Sequence, residues 1–283
     1  MITAVTSRKG GVSKTTTAVN LAAALAGIGK RVLLVDLDSQ ASASLSLGVP
    51  RSALFPGLAD VLMGSRPAAD TIRSTATLGL DLVTASADLQ SFELHLGDGT
   101  DRGSLLRQML DPIVPRYDFI LFDCPPNQSL LAFNGLVAAD NFIVPIVPNH
   151  LATISLEPML WAAERIPAAY GVRPRLLGIV LTQVDYRTRA ARENVGRIRE
   201  KFRDHVFAVE IRVNVRLAEA PESGKTIFEY DPRSTGAKAY RLLAAEMLMR
   251  ARAAASEVGA GGTSTSASES AHPLSSFTSR DTN

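Results

Sequence analysis

Residues 8 to 15 read Arg8-Lys9-Gly10-Gly11-Val12-Ser13-Lys14-Thr15, residue types and spacings suited to holding phosphate. Glycines let the backbone turn tightly enough for its N–H groups to close on phosphate oxygens, a lysine adds a point charge, and the hydroxyl after it can ligate Mg2+. Lys14 is placed to reach the β- and γ-phosphates, Thr15 to hold the metal, and the amides of Gly10, Gly11, Val12, Ser13, Lys14, Thr15 and Thr16 to cradle the polyphosphate. The ordinary pattern G-x-x-x-x-G-K-[ST] is not met, because Arg8 and Ser13 stand where it has glycine; the motif here is K-G-G-x-x-K-[ST]. Ser13, at the entry to a helix, is well suited to cap it. Three carboxylates complete the set. Asp123 closes the apolar run Phe119 to Phe122, where an unpaired charge is costly to desolvate, so a role in holding Mg2+ explains its placement. Asp36 and Asp38 stand two apart after Val32 to Val35, which puts them on one face of an extended segment and within reach of the same metal.

These groups need a scaffold that gathers distant parts of the chain. Ile2 to Thr6, Val32 to Val35, Phe119 to Phe122, Phe142 to Val147 and Leu176 to Leu181 are continuously apolar, the mark of parallel strands buried on both faces. Helical faces lie between them, one formed by Leu21, Leu25 and Ile28, another by Val195, Ile198 and Phe202. The alternation predicts an α/β fold: a doubly wound, mostly parallel sheet flanked by helices, with its ligand at the carboxyl ends of the strands. One domain is expected over residues 1 to 255, closing with a helix from Lys238 to Ala255. From 256 to 283 Ser, Thr, Gly and Ala dominate, with Val258, Leu274 and Phe277 the only sizeable apolar side chains. That composition predicts a disordered tail.

The chain resembles the deviant-Walker ATPases of the ParA/Soj/MinD superfamily. Beyond the loop, the similarity rests on Arg31 to Gln40, Tyr117 to Pro126, Gly178 to Asp185 and Asn214 to Pro221, with Gly224-Lys225 and Tyr230 to Tyr240 similar to the Soj-type branch. It implies a P-loop ATPase using ATP and Mg2+. It further implies that Asp38 positions the attacking water, that Asp36 supports the Mg2+ shell with Thr15 and Asp123, and that Gln183 and Asn214 contact the nucleotide. Lys9 is implied to cross a two-fold interface to the partner's ATP phosphates, so that the active species is a nucleotide-sandwich homodimer. Ile211-Arg212-Val213-Asn214 departs from the family's pattern on the adenine side, and Ser39 replaces a usual proline.

Net charge is only +2, but residues 165 to 216 hold twelve Lys or Arg against five acids. On a helix Arg189, Arg192, Arg199 and Arg203 share one angular sector, a stripe suited to sequence-independent binding of nucleic-acid phosphates. The Soj-branch resemblance adds Arg187 and Arg216, and implies nonspecific double-stranded DNA and a ParB-like or other cargo-adaptor protein as partners, in a cytoplasmic, nucleoid-associated setting. A MinD-like membrane switch and a metabolic ATP-using enzyme of the same fold are the alternatives. No apolar run has membrane-spanning length, and the opening residues, entering a strand at once, lead us to expect no signal peptide. The single cysteine, Cys124, excludes an internal disulfide and reads as a small buried residue beside Asp123.

Overall fold

Strands and helices alternate along the chain: β1 (Ile2–Val5), α1 (Lys14–Gly27), β2 (Val32–Asp36), α2 (Ser42–Ser46), α3 (Leu58–Leu62), β3 (Ile72–Ser74), β4 (Leu80–Val83), α4 (Asp88–His95), α5 (Leu105–Leu110), β5 (Phe119–Asp123), α6 (Leu130–Ala138), β6 (Asn141–Ile146), α7 (Ala152–Tyr170), β7 (Arg175–Val184), α8 (Arg189–Phe202), β8 (Val206–Arg212), α9 (Val215–Glu222), α10 (Ile227–Tyr230) and α11 (Thr235–Ala260). The structure, a computed structural model, describes residues 1–95, 104–126, 129–150 and 152–260. The strands form one eight-stranded sheet in the order β3-β4-β2-β5-β1-β6-β7-β8. All neighbours run parallel except β3 against β4. The chain winds to one side of β1 through β5, β2 and β4, and to the other through β6, β7 and β8. The loop after β1 therefore lies where the winding reverses, the place at which such sheets open a ligand crevice.

Alternate side chains of each strand enter different cores. Leu33, Val35, Ile120 and Phe122 belong to a cluster that extends across the sheet to Val195, Ile198 and Phe202 of α8. Val32, Leu34, Phe119 and Leu121 pack on α1, which joins them in one cluster with Tyr240, Leu243 and Met247 of α11. Burial on both faces is what makes the strands read as continuous apolar runs. All five expected strands are present within a few residues of their expected ends. β3, β4 and β8 were not expected. Ile28 leaves the apolar face assigned to it: it follows the end of α1 and is 54% exposed. The last helix begins at Thr235 and runs to Ala260, past the boundary expected at residue 255, because Ala251 to Ala260 keeps helix-forming residues where only composition had suggested a break. Residues 261 to 283 of the expected tail lie outside the described residues.

Candidate active site

After β1 the chain passes through buried Thr6 and Ser7, and Arg8 to Gly11 then emerge into solvent. Gly11 has φ +72° and Ser13 φ +63°. A left-handed conformation crowds a Cβ, which is why the ordinary motif places glycine at the position of Ser13. The serine does not cap α1 as expected. Its Oγ instead accepts from Gln183 Nε2 at 2.9 Å, and the same amide nitrogen donates to the Gly11 carbonyl at 2.9 Å. Thr182 Oγ1 lies 3.1 Å from both the Val12 and Ile146 carbonyls. The end of β7 thus grips three consecutive residues of the loop. Lys14 is 7% exposed and closes the arc by donating from Nζ to the Lys9 carbonyl at 3.1 Å. Burial pulls the Lys14 pKa down, opposed by Asp123, Cys124 and Asp38. The Lys9 side chain is exposed.

Asp36 and Asp123 end neighbouring strands and stand opposite each other in register. Thr15 Oγ1 donates to Asp123 Oδ2 at 2.7 Å, while Asp123 Oδ1 is buried with no hydrogen-bond partner. Desolvation first, and then the Asp36 carboxylate beside it, push the Asp123 pKa well up. A buried carboxylate with one oxygen unsatisfied and a hydroxyl beside it is a donor set of the kind Mg2+ takes, so Thr15 and Asp123 fit the metal. Asp36 also accepts three hydrogen bonds. Its Oδ1 accepts from the Asp38 N–H at 3.1 Å, and its Oδ2 from the Ser44 N–H at 2.9 Å and the Ser44 hydroxyl at 2.7 Å. Fully buried, it organises the loop from β2 into α2. Asp38 is half-buried in the turn beyond β2, with Oδ1 held by the Gln40 N–H at 2.9 Å. Asp38 thus lies beyond the strand that Asp36 ends, and its charge still acts on Asp36, Asp123 and Lys14. Ser44, eight positions after Asp36, carried no local signal for this contact. Behind the carboxylates α6 packs so closely that a Cβ on Gly135 would come within 2.9 Å of Cys124 Sγ and Leu37 Cδ1.

Beyond β7 and β8 lies a cavity of about 490 Å3 lined by Val184, Asp185, Tyr186, Arg187, Arg212 and Val213. The Tyr186 hydroxyl donates to Glu210 at 2.7 Å, and Arg212 lies over its ring at 5.2 Å. Asn214 is occupied otherwise: its Oδ1 caps α9 by accepting the Arg216 N–H at 2.9 Å, and its Nδ2 donates to Thr235 at 2.7 Å. Neither Asn214 nor Gln183 lines the cavity.

Residues 1–173 match the AAA domain family model. The chain is 38% identical over 246 residues to the sporulation initiation inhibitor protein Soj of Bacillus subtilis, covering 87% of this chain and 97% of Soj. It is 39% identical over 253 residues to the chromosome partitioning protein ParA of Caulobacter vibrioides, covering 89% and 95%. The chain belongs to the ParA/Soj family of ATPases. Its chemistry is accordingly Mg-dependent hydrolysis of ATP. Among solved structures, the cobyrinic acid a,c-diamide synthase of Mycobacterium smegmatis, with an ATP analogue and magnesium bound, superimposes with a TM-score of 0.78 at 30% identity, covering 89% of this chain and 96% of that one. The cell division ATPase MinD of Pyrococcus furiosus gives 0.69 at 26% identity, covering 88% and 98%. This ParA/Soj-type chain thus shares its fold with a cell division ATPase and with a diamide synthase.

The arginines expected to meet DNA fall into two groups. Arg187, 83% exposed, and Arg216, 54% exposed, stand at the carboxyl ends of β7 and β8, paired with Asp185 at 2.6 Å and with Glu219 at 2.8 Å. Arg189 is paired with Glu193 on the surface of α8, and Arg192 is exposed. Arg199 serves the fold instead, bonding Glu210 at 2.7 Å and the Phe207 and Ala208 carbonyls and so tying α8 to β8. It leaves the stripe because it stands in the last turn of α8, where β8 folds back within its reach, which spacing alone could not reveal. No described helix is long and apolar enough to cross a membrane.

Proposed function

We propose that this ATPase dimerises around ATP, binds double-stranded DNA without sequence preference in that state, and positions or segregates a cargo, with a ParB-like or other adaptor stimulating the hydrolysis that resets it. The observation that carries the reading is placement. Lys9, Arg187 and Arg216 all emerge at the carboxyl edge of the sheet, and all are exposed. A two-fold dimer formed across that edge brings Lys9 toward the partner's phosphates and doubles the number of arginines presented to DNA. The acidic partners of Arg187 and Arg216 do not forbid this, since exposed ion pairs in water are weak and exchange readily for a phosphate.

In the chemical step Lys14 and the amides of residues 10 to 16 hold the polyphosphate, and Asp38 positions the attacking water. Bound through Thr15 and Asp123, Mg2+ would supply charge neutralisation at the phosphates. Asp36 contributes by fixing the backbone of Asp38 through their hydrogen bond. The test is size exclusion with ATP beside filter binding to DNA. The wild type shifts to a dimer and retains DNA only with ATP, whereas Lys9→Ala binds ATP but stays monomeric. A Lys9→Ala protein that dimerises like the wild type removes the lysine from the interface. Hydrolysis stimulated by a small carboxylic acid substrate and indifferent to DNA would favour an amide-forming reaction like that of the synthase neighbour.

A further inference from the structure

We propose that Ser13 and Gln183 form a side-chain latch that holds the phosphate loop in its binding conformation, replacing in this chain what glycine supplies in the ordinary motif; the proposal rests on the ATPase assignment. Ser13 and Gln183 are two of the four non-glycine residues with positive φ among the described residues, at +63° and +51°. Both conformations crowd a Cβ, so each persists only where its surroundings over-determine it. Here the two strained residues are bonded to each other. The Gln183 amide nitrogen lies 2.9 Å from the Ser13 hydroxyl and 2.9 Å from the Gly11 carbonyl, which directs it at both left-handed positions of the loop. An amide NH2 has two N–H donors, and this geometry employs both.

The backbone of β7 is shaped for this contact. Its register against β8 slips between Leu181 and Val184, which is where Gln183 turns to positive φ. A local irregularity of this kind re-aims a side chain that a regular strand would direct elsewhere. Thr182 adds the Val12 carbonyl at 3.1 Å, so the carbonyls of Gly11 and Val12 are turned back toward β7. Carbonyls held behind the loop leave its N–H groups facing the crevice, the orientation that phosphate needs. Glycine adopts a left-handed turn without help; serine needs the latch. Gln183 is therefore a positioning residue acting through Ser13 and Gly11, not a nucleotide contact.

A double-mutant cycle on the full-length protein tests this. Gln183→Met keeps the size of the side chain and deletes both donors; Gln183→Ala serves as a second variant. Each is made in the Ser13 background and in a Ser13→Gly background, and read by calorimetric MgATP affinity, by KM and kcat, and by nucleotide-free melting temperature. In the Ser13 background the affinity should fall about 10-fold with KM rising in parallel and kcat changing far less, because Asp38 and the carboxylates are untouched. In the Ser13→Gly background the same change at Gln183 should cost less than about 3-fold, since glycine no longer needs holding. An equal loss in both backgrounds, or no loss in either, overturns the latch. A wild type that binds no MgATP would instead overturn the ATPase assignment on which the latch rests.

Discussion

Two parts of the sheet's carboxyl edge are built on opposite principles. On the phosphate side, around β1, β2 and β5, chemically able groups are left with capacity to spare: Asp123 keeps a buried oxygen without a partner, and the Lys9 side chain is exposed. On the β7 and β8 side several cations are already answered, Arg187 by Asp185, Arg199 by Glu210 and Arg216 by Glu219. A local charge excess counted along the sequence is thus not a bare cationic surface. Whether a charged residue serves function or fold depends on how deeply its pairing is buried, since an exposed pair yields to a ligand and a buried one does not.

The largest effect should come from the phosphate side. Lys14→Ala removes the buried cation from the loop, and MgATP affinity measured by calorimetry should fall by about two orders of magnitude or more; retained affinity would show that the loop amides suffice. Asp38→Ala should lose on the order of 100-fold in kcat while still binding ATP and dimerising, because positioning of water is lost and the cradle is not. Unchanged turnover would move that role to another residue.

On the other side the contrast is between two kinds of arginine. Reversing both Arg187 and Arg216 to Glu removes four phosphate contacts per dimer and should flatten the log–log salt dependence of DNA binding by about 3.6, with the ATP dimer intact. Arg199→Ala should leave DNA retention nearly unchanged and instead lower stability by about 2 kcal/mol, as charge-assisted bonds between α8 and β8 are lost. If Arg199→Ala abolished DNA binding without destabilising the protein, the division between arginines in exposed pairs and Arg199 in its half-buried pair would fail. Least of all should happen on removing residues 261 to 283, whose composition offers little to bury: melting temperature and ATPase rate should stay within error of the full chain.

The same contrast explains what the sequence could reveal. The phosphate loop and Asp123 are contiguous with their own strands, so type and spacing announced them. β8 escaped because Glu210 and Arg212 interrupt its apolar pattern, and the structure shows both meeting Tyr186, with Glu210 also bonded to Arg199. β3 is three residues long and antiparallel, too short to carry a period. Asp36 was legible as a buried strand-end carboxylate, whereas its Ser44 contact was not, since that depends on how the following loop folds back. Asn214 was likewise found by its motif, yet its side chain caps a helix, a role that only three-dimensional placement assigns.

The only thiol in the chain, on Cys124, is 1% exposed and has its pKa pushed up, chiefly by burial and then by Asp123. Alkylating reagents need an accessible thiolate, so the native protein should be silent toward them. The molecule is therefore ready-made for spectroscopy. A cysteine introduced anywhere on the surface can carry a dye at a single position without first deleting the natural one, and the slow appearance of a second labelled site would time the opening of the sheet itself.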